Sequence, residues 1–199
     1  MQADVQSNIA ARGGSSLVVK STLATFVEFI GARASSPTGT ALLVPELESG
    51  SVYASMSSSE RSTLRDYVSN GGTLVVAGDG NDRAVALLNG VFSWSLRTES
   101  SSGSVADLST SQATGTKFQG AAVSLSYQDA IRAVTASSIP FSGRAIYTST
   151  VDSQNCWVFQ ASYGVGAVVY LGYDWYESAG TGWATVLGRA LSTGGSAGM

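Results

Sequence analysis

The 199-residue sequence contains no histidine, a single cysteine (Cys156) and two lysines, Lys20 and Lys117. Without an imidazole there is no side chain that titrates near neutral pH to act as general base, so Ser–His and Cys–His hydrolytic pairs are excluded. One cysteine makes no internal disulfide, and its place in the apolar run CWVF reads as that of a small buried hydrophobe. Zinc sites draw on Cys and His and are disfavoured for the same reason. Any metal here would be a hard cation, Ca²⁺ or Mg²⁺, held by carboxylates. Only 13% of residues are charged and the net charge is −3, so no cationic face is offered to nucleic acid or to an anionic membrane. No apolar run approaches the roughly 20 residues that cross a bilayer. The amino end, MQADVQSNIAARGG, is too polar for a signal peptide.

What is present describes a globular α/β domain. Hydrophobic residues make up 44% of the chain, enough for a well-buried core, and the surface is furnished by Ser, Thr and Gly more than by ions. Such a surface suits an extracellular or cell-surface setting. SSLVVK (15–20) reads as a strand and Leu23, Phe26, Val27 and Ile30 as one face of a helix. ALLVP (41–45) reads as a buried strand. Ser57 with Glu60 has capping-box spacing for a helix that stops at Asn70-Gly71-Gly72. TLVVAG (73–78) is the next strand, and Asp79-Gly80-Asn81-Asp82 leads into a helix expected to close at Asn89-Gly90.

Strand, helix, strand, helix in this order predicts parallel pairing with right-handed crossovers. Residues 99–119 are Ser/Thr/Gly-rich and read as a loop excursion. Three later strands, 144–150, 155–163 and 166–173, follow, the last two forming an antiparallel hairpin, and a helix around Trp183, Val186, Leu187, Ala190 and Leu191 closes the domain before a polar tail at 194–199. A single domain over 1–193 is expected. A helix at 4–11 with no apolar strand before it suggests an excerpt of a longer polypeptide.

LLVPELE, LRDYVSNGGTLVVAGD, and GVGAVVYLGYDW followed by GWATVLGRAL together resemble the class I glutamine amidotransferase-like superfamily, in its divergent trehalose-utilisation-like branches. That resemblance implies a three-layer, flavodoxin-like fold with a mostly parallel sheet and helices on both faces. Catalytic members hold a cysteine in a sharp turn after a central strand and pair it with a histidine. The matching turn here is Gly78-Asp79-Gly80, and the chain has no histidine, so that activity is carried over to no residue.

The residues themselves point to the carboxyl edge of the sheet, where open parallel sheets place their ligands. Glu46 and Glu48, Asp79 and Asp82, and Asp174 with Trp175 and Glu177 follow three predicted strands. Converging carboxylates there could hold Ca²⁺ or Mg²⁺ or accept hydrogen bonds from sugar hydroxyls, with tryptophan faces beside them. The plainer reading is that Asp79 and Asp82 cap the following helix and that Glu46 and Glu48 are solvated. Gly78-Asp79-Gly80 begins like a dinucleotide fingerprint, but Arg83 occupies the place of its third glycine.

Two functions follow. One is a non-catalytic amidotransferase-like binding or assembly domain within a larger protein, partnered by other subunits or by the rest of its chain. The alternative is a carboxylate-based hydrolase acting on carbohydrate, with Glu46, Asp79 and Asp174 as acid/base groups or as ligands for a divalent cation. A structural subunit pairing through a free strand edge is a third.

Overall fold

The computed structural model describes residues 23–37, 39–46, 50–127, 131–173 and 182–192. Helix α1 (Leu23–Arg33) leads to strand β1 (Ala41–Val44), a short helix α2 (Val52–Ser55), α3 (Ser58–Ser69), β2 (Thr73–Ala77) and α4 (Arg83–Phe92). Then come β3 (Thr98–Ser100), β4 (Val105–Leu108), α5 (Thr110–Ala113), β5 (Ser124–Ser126) and β6 (Arg132–Thr135). A 3₁₀ turn (Ala136–Ser138) precedes β7 (Gly143–Ser149), β8 (Asn155–Tyr163), β9 (Gly166–Leu171) and α6 (Trp183–Ala190). The predicted strand at 15–20 and helix at 4–11 lie outside the described residues.

The nine strands among the described residues join one mixed sheet in the order β1-β2-β9-β8-β7-β4-β5, with β6 pairing β8 and carrying β3. Coarsely this is the α/β fold expected, but the sheet is not the mostly parallel, flavodoxin-like one. Among the described residues only β1 with β2 and β2 with β9 run parallel; the other pairings are antiparallel. The reason is connection length. A parallel neighbour needs a crossover of a dozen or more residues, which β1–α3–β2 supplies. Between β8 and β9 there is only the Gly164–Val165 turn, and so short a link permits only antiparallel return.

Alternation along the strands gives each face its own core. Leu74 and Val76 of β2 and Val168 and Tyr170 of β9 pack with Ile30, Leu64, Tyr67, Val68, Leu88 and Val91 from α1, α3 and α4. Val75, Ala77, Val169 and Leu171 point the other way, onto Trp183, Val186, Leu187 and Ala190 of α6 and onto Phe118 and Ile146. The capping box of α3 forms: Ser57 Oγ accepts from the Glu60 amide at 3.3 Å, and Glu60 Oε2 accepts from the Ser57 amide at 2.6 Å.

Two expectations change. α4 does not stop at Asn89-Gly90 but runs to Phe92, because the Asn89 side chain bonds forward to the amide and carbonyl of Leu96 (2.8 and 3.0 Å). The stretch 99–119 holds the end of β3, all of β4 and α5. It is anchored by Asn155, 1% exposed, whose Oδ1 accepts from the Ser102 amide (3.1 Å) and from Trp157 Nε1 (2.9 Å) while Nδ2 donates to the Ser100 carbonyl (2.9 Å).

Asn155→Ala leaves those groups without their partner and is expected to cost about 3 kcal/mol in urea unfolding. Hydrogen exchange should speed up first at residues 100–102, and unchanged exchange there would reject the anchoring role.

Candidate functional site

Because β1, β2 and β9 lie side by side and parallel, their carboxyl ends open on one edge of the sheet. That edge brings the loops carrying Glu46 and Asp79 together. Glu48, Asp174, Trp175 and Glu177 lie outside the described residues.

The turn after β2 starts from a close approach of backbones. The Gly78 amide donates to the Leu171 carbonyl at 2.6 Å, and a Cβ on Gly78 would lie 2.7 Å from the Gly172 carbonyl oxygen and 2.9 Å from Tyr170 Oη. Only glycine fits there. Asp79 follows, 2% exposed, with both oxygens taken: Oδ1 accepts from the amides of Asn81 (2.9 Å) and Arg83 (3.0 Å), and Oδ2 from Ala84 (2.7 Å). The Arg83 and Ala84 amides are among those that a helix start leaves without intrahelical partners, and a carboxylate facing them also meets the positive end of the helix dipole. Asp79 therefore caps α4.

Asp82 sits at the helix boundary in the left-handed region (φ 60°) and makes no side-chain cap. Its carboxylate receives Arg132 instead, Nε to Oδ1 at 2.7 Å and Nη2 to Oδ2 at 3.0 Å, with Nη2 also 3.2 Å from Thr98 Oγ1. The hydrogen bonds from Arg132 hold the Asp82 carboxyl below its ordinary range, partial burial opposing them, and the same pair raises the Arg132 guanidinium. Behind this pair, buried Tyr170 donates from its hydroxyl to the Arg132 carbonyl at 2.8 Å, and burial first, then Asp79 and Asp82, push its phenol upward.

Glu99, on β3 beside β6, has one carboxylate oxygen buried with no hydrogen-bond partner. Sequence reasoning missed Arg132, Tyr170 and Glu99. Arg132 lies in a stretch with neither a clear period nor a motif, and its one signal was a charge opposite to that of Asp82.

Among the described residues no group of three His, Cys, Asp or Glu side chains is placed to hold a metal ion, and no helix is long and apolar enough to cross a membrane. Cys156 is fully buried; burial, the largest cause, pushes its thiol up to about 12, and its S–H donates to the Val158 carbonyl at 3.2 Å.

No family model matches the chain, and neither does any curated protein. Solved structures similar to this chain include three glycoside hydrolases. An exo-β-1,4-mannosidase from Opitutaceae bacterium strain TAV5 is 12% identical with a TM-score of 0.40, over 68% of this chain and 20% of that one. A β-galactosidase from Bacillus circulans sp. alkalophilus is 8% identical with a TM-score of 0.46, over 89% and 28%. A GH42 β-galactosidase from G. stearothermophilus, a catalytic mutant, is 14% identical with a TM-score of 0.38, over 80% and 25%. The chain spans less than a third of the length of each.

The resemblance to the amidotransferase-like superfamily is accordingly corrected: no family model supports it, and the sheet is largely antiparallel where that superfamily implies a mostly parallel one. The non-catalytic and structural roles attached to that superfamily fall with it. What misled was a pair of apolar strands flanking a capped helix, a pattern any β–α–β unit shares.

Asp79→Ala strips three amides of their acceptor and is expected to lower stability by about 2 kcal/mol, with Asp79→Asn intermediate. Urea titrations within 0.5 kcal/mol (about the scatter of surface substitutions) of wild type would reject the capping role.

Asp82 gives a pH signature. A carboxyl lowered by folding stabilises the fold above its unfolded value, about 3.9, and that contribution is lost as pH falls through the folded value. With 44% of the Asp82 side chain exposed, solvent screening keeps it under about 1 kcal/mol. Asp82→Asn should flatten the acid limb of the stability–pH curve below about pH 4, and a limb unchanged from wild type would reject the assignment.

Proposed function

We propose that this chain is a carbohydrate-recognising module of a larger carbohydrate-acting protein, and that it holds sugar while the acid and base of any cleavage come from outside the pair Asp79 and Asp82. The saturation of Asp79 carries this reading. A carboxylate that is 2% exposed and committed to three amides at 2.7–3.0 Å is not presented to a substrate. Asp82 is likewise committed to Arg132. Carbohydrate as the ligand class is supported by the chain's own surface: 13% charged residues and few cations favour a neutral, hydroxyl-bearing partner over an anionic one.

Glu99 favours a second reading, a hydrolase acting on carbohydrate. One of its carboxyl oxygens is buried without a hydrogen-bond partner and so is not spent on holding the fold, and glycoside cleavage would need a second carboxyl about 5–10 Å away.

Affinity electrophoresis in gels containing mannan, galactan, xylan or mixed-linkage glucan, beside hydrolysis of nitrophenyl glycosides, separates the two. The expected outcome is retardation in at least one gel, whether or not nitrophenol is released. Turnover that survives Asp79→Asn but falls by about a hundredfold or more in Glu99→Gln would establish the hydrolase, and absence of both retardation and turnover would remove carbohydrate altogether.

A further inference from the structure

We infer that a cleft on the far side of β7 from the carboxyl-edge loops is a sugar-binding subsite with Phe141 as its stacking platform. It has a volume of about 390 Å³, at the low end of the range for ligand clefts, about 300–1,000 Å³. One wall is the turn from Ile139 to Gly143, the other the start of α5, and Ala145 and Thr148 of β7 lie between them.

The lining has a specific chemistry. None of its residues carries a charge, so the site offers neither anion nor cation a counter-ion. Ser109, Thr148 and the exposed amide of Gln112 supply donors and acceptors, while Ile139, Ala145 and the Phe141 ring supply apolar surface. Neutral hydrogen-bonding groups beside an aromatic face match a ligand with hydroxyls around its rim and C–H groups on its faces, which is the chemistry of a neutral sugar ring.

Phe141 is fully exposed, yet the turn that carries it is fastened. The Gly143 amide donates to the Pro140 carbonyl at 2.7 Å, closing a β-turn with Phe141 at its second position. Ser142 is tied to β8 twice, its hydroxyl donating to the Ser162 carbonyl (2.8 Å) and its carbonyl accepting from the Ser162 amide (3.1 Å). A Cβ on Gly143 would meet Ile139 Cγ2 at 2.4 Å, so glycine lets the turn fold down onto β7. The opposite wall is held to β7 as well: the Ser109 amide donates to the Ile146 carbonyl (2.9 Å), and Arg144 Nη1 donates to the Thr114 carbonyl (2.6 Å). A platform fixed before the ligand arrives loses little entropy on binding.

The ligand class rests on the carbohydrate reading above; the location does not. The test compares wild type, Phe141→Ala, Gln112→Ala and, as a control away from the cleft, Val165→Ser in the same four polysaccharide gels, with thermal unfolding of each. Phe141 contributes no burial, so the variant should unfold at the wild-type temperature. Its dissociation constant for the retarding polysaccharide should rise by about tenfold, with a smaller rise for Gln112→Ala and none for Val165→Ser. Wild-type retardation with Phe141→Ala and Gln112→Ala both unimpaired would overturn the subsite and leave the carbohydrate reading standing. Failure of wild type in every gel would overturn both. Loss of concentration-dependent self-association in Phe141→Ala, with retardation intact, would assign the ring to a protein contact and overturn the subsite.

Discussion

Burial of β8 on both faces is the constraint on which the rest depends. Its first five residues, Asn155 to Phe159, are all buried, and it pairs with β7 along one side and with β9 and then β6 along the other. A strand in that position must satisfy its amides and carbonyls laterally and fill two cores at once. Trp157 and Val158 belong to one core and Cys156, Phe159 and Ala161 to the other, the register shifts against β7 marking where simple alternation breaks. Where β9 ends at Leu171, β6 takes over as neighbour, and the Gly172 carbonyl receives the Arg132 amide at 2.8 Å across the handover. The carboxyl edge is built around that junction.

The charged groups at the edge follow from this geometry. β2 and β9 approach so closely at Gly78 and Gly172 that the chain must turn sharply, leaving α4 to begin with unsatisfied amides beside a packed interior. Asp79 meets that need from within the turn, and Asp82, displaced into the left-handed region, is free to take Arg132 from β6. The ion pair thus links the parallel part of the sheet to its antiparallel extension. Half-exposed, it contributes little energy, but its two-point geometry sets the separation of the two parts.

How much of this was legible in the sequence depends on the range of the interactions. The capping box of α3 and the β8–β9 hairpin were, because Ser57 with Glu60 and the Gly164–Gly166 turn are local. The juxtaposition of the Asp79 loop with the end of β9 was reachable only by supposing the strands adjacent, and that supposition held for β1, β2 and β9. β3, β4 and β5 were not legible: each is only three or four residues long, β3 is Thr-Glu-Ser and β5 holds a single apolar residue, Leu125, and these strands exist because β6, β7 and β4 offer them paired backbone. Asn155 reaches back 53 and 55 residues to hold Ser102 and Ser100, a distance over which spacing carries no signal. The parallel sheet was overcalled because an apolar run buried on both faces looks the same whichever way its neighbours run.

Two fastened loops on one scaffold differ in what they leave unmet. At the carboxyl edge, acceptors and donors are matched within the chain, Asp79 to amides and Asp82 to Arg132, so rigidity there serves the fold. At the Pro140–Gly143 turn the backbone is also tied down, yet the side chain it presents is fully exposed and adds no burial to folding. Hydrogen bonds that order a turn carry an entropic cost, and an exposed phenyl ring returns none of it in the isolated chain. In the subsite proposed above the compensating contact comes from outside, and a neutral cleft with hydroxyl and amide groups at its walls restricts which chemistry supplies it.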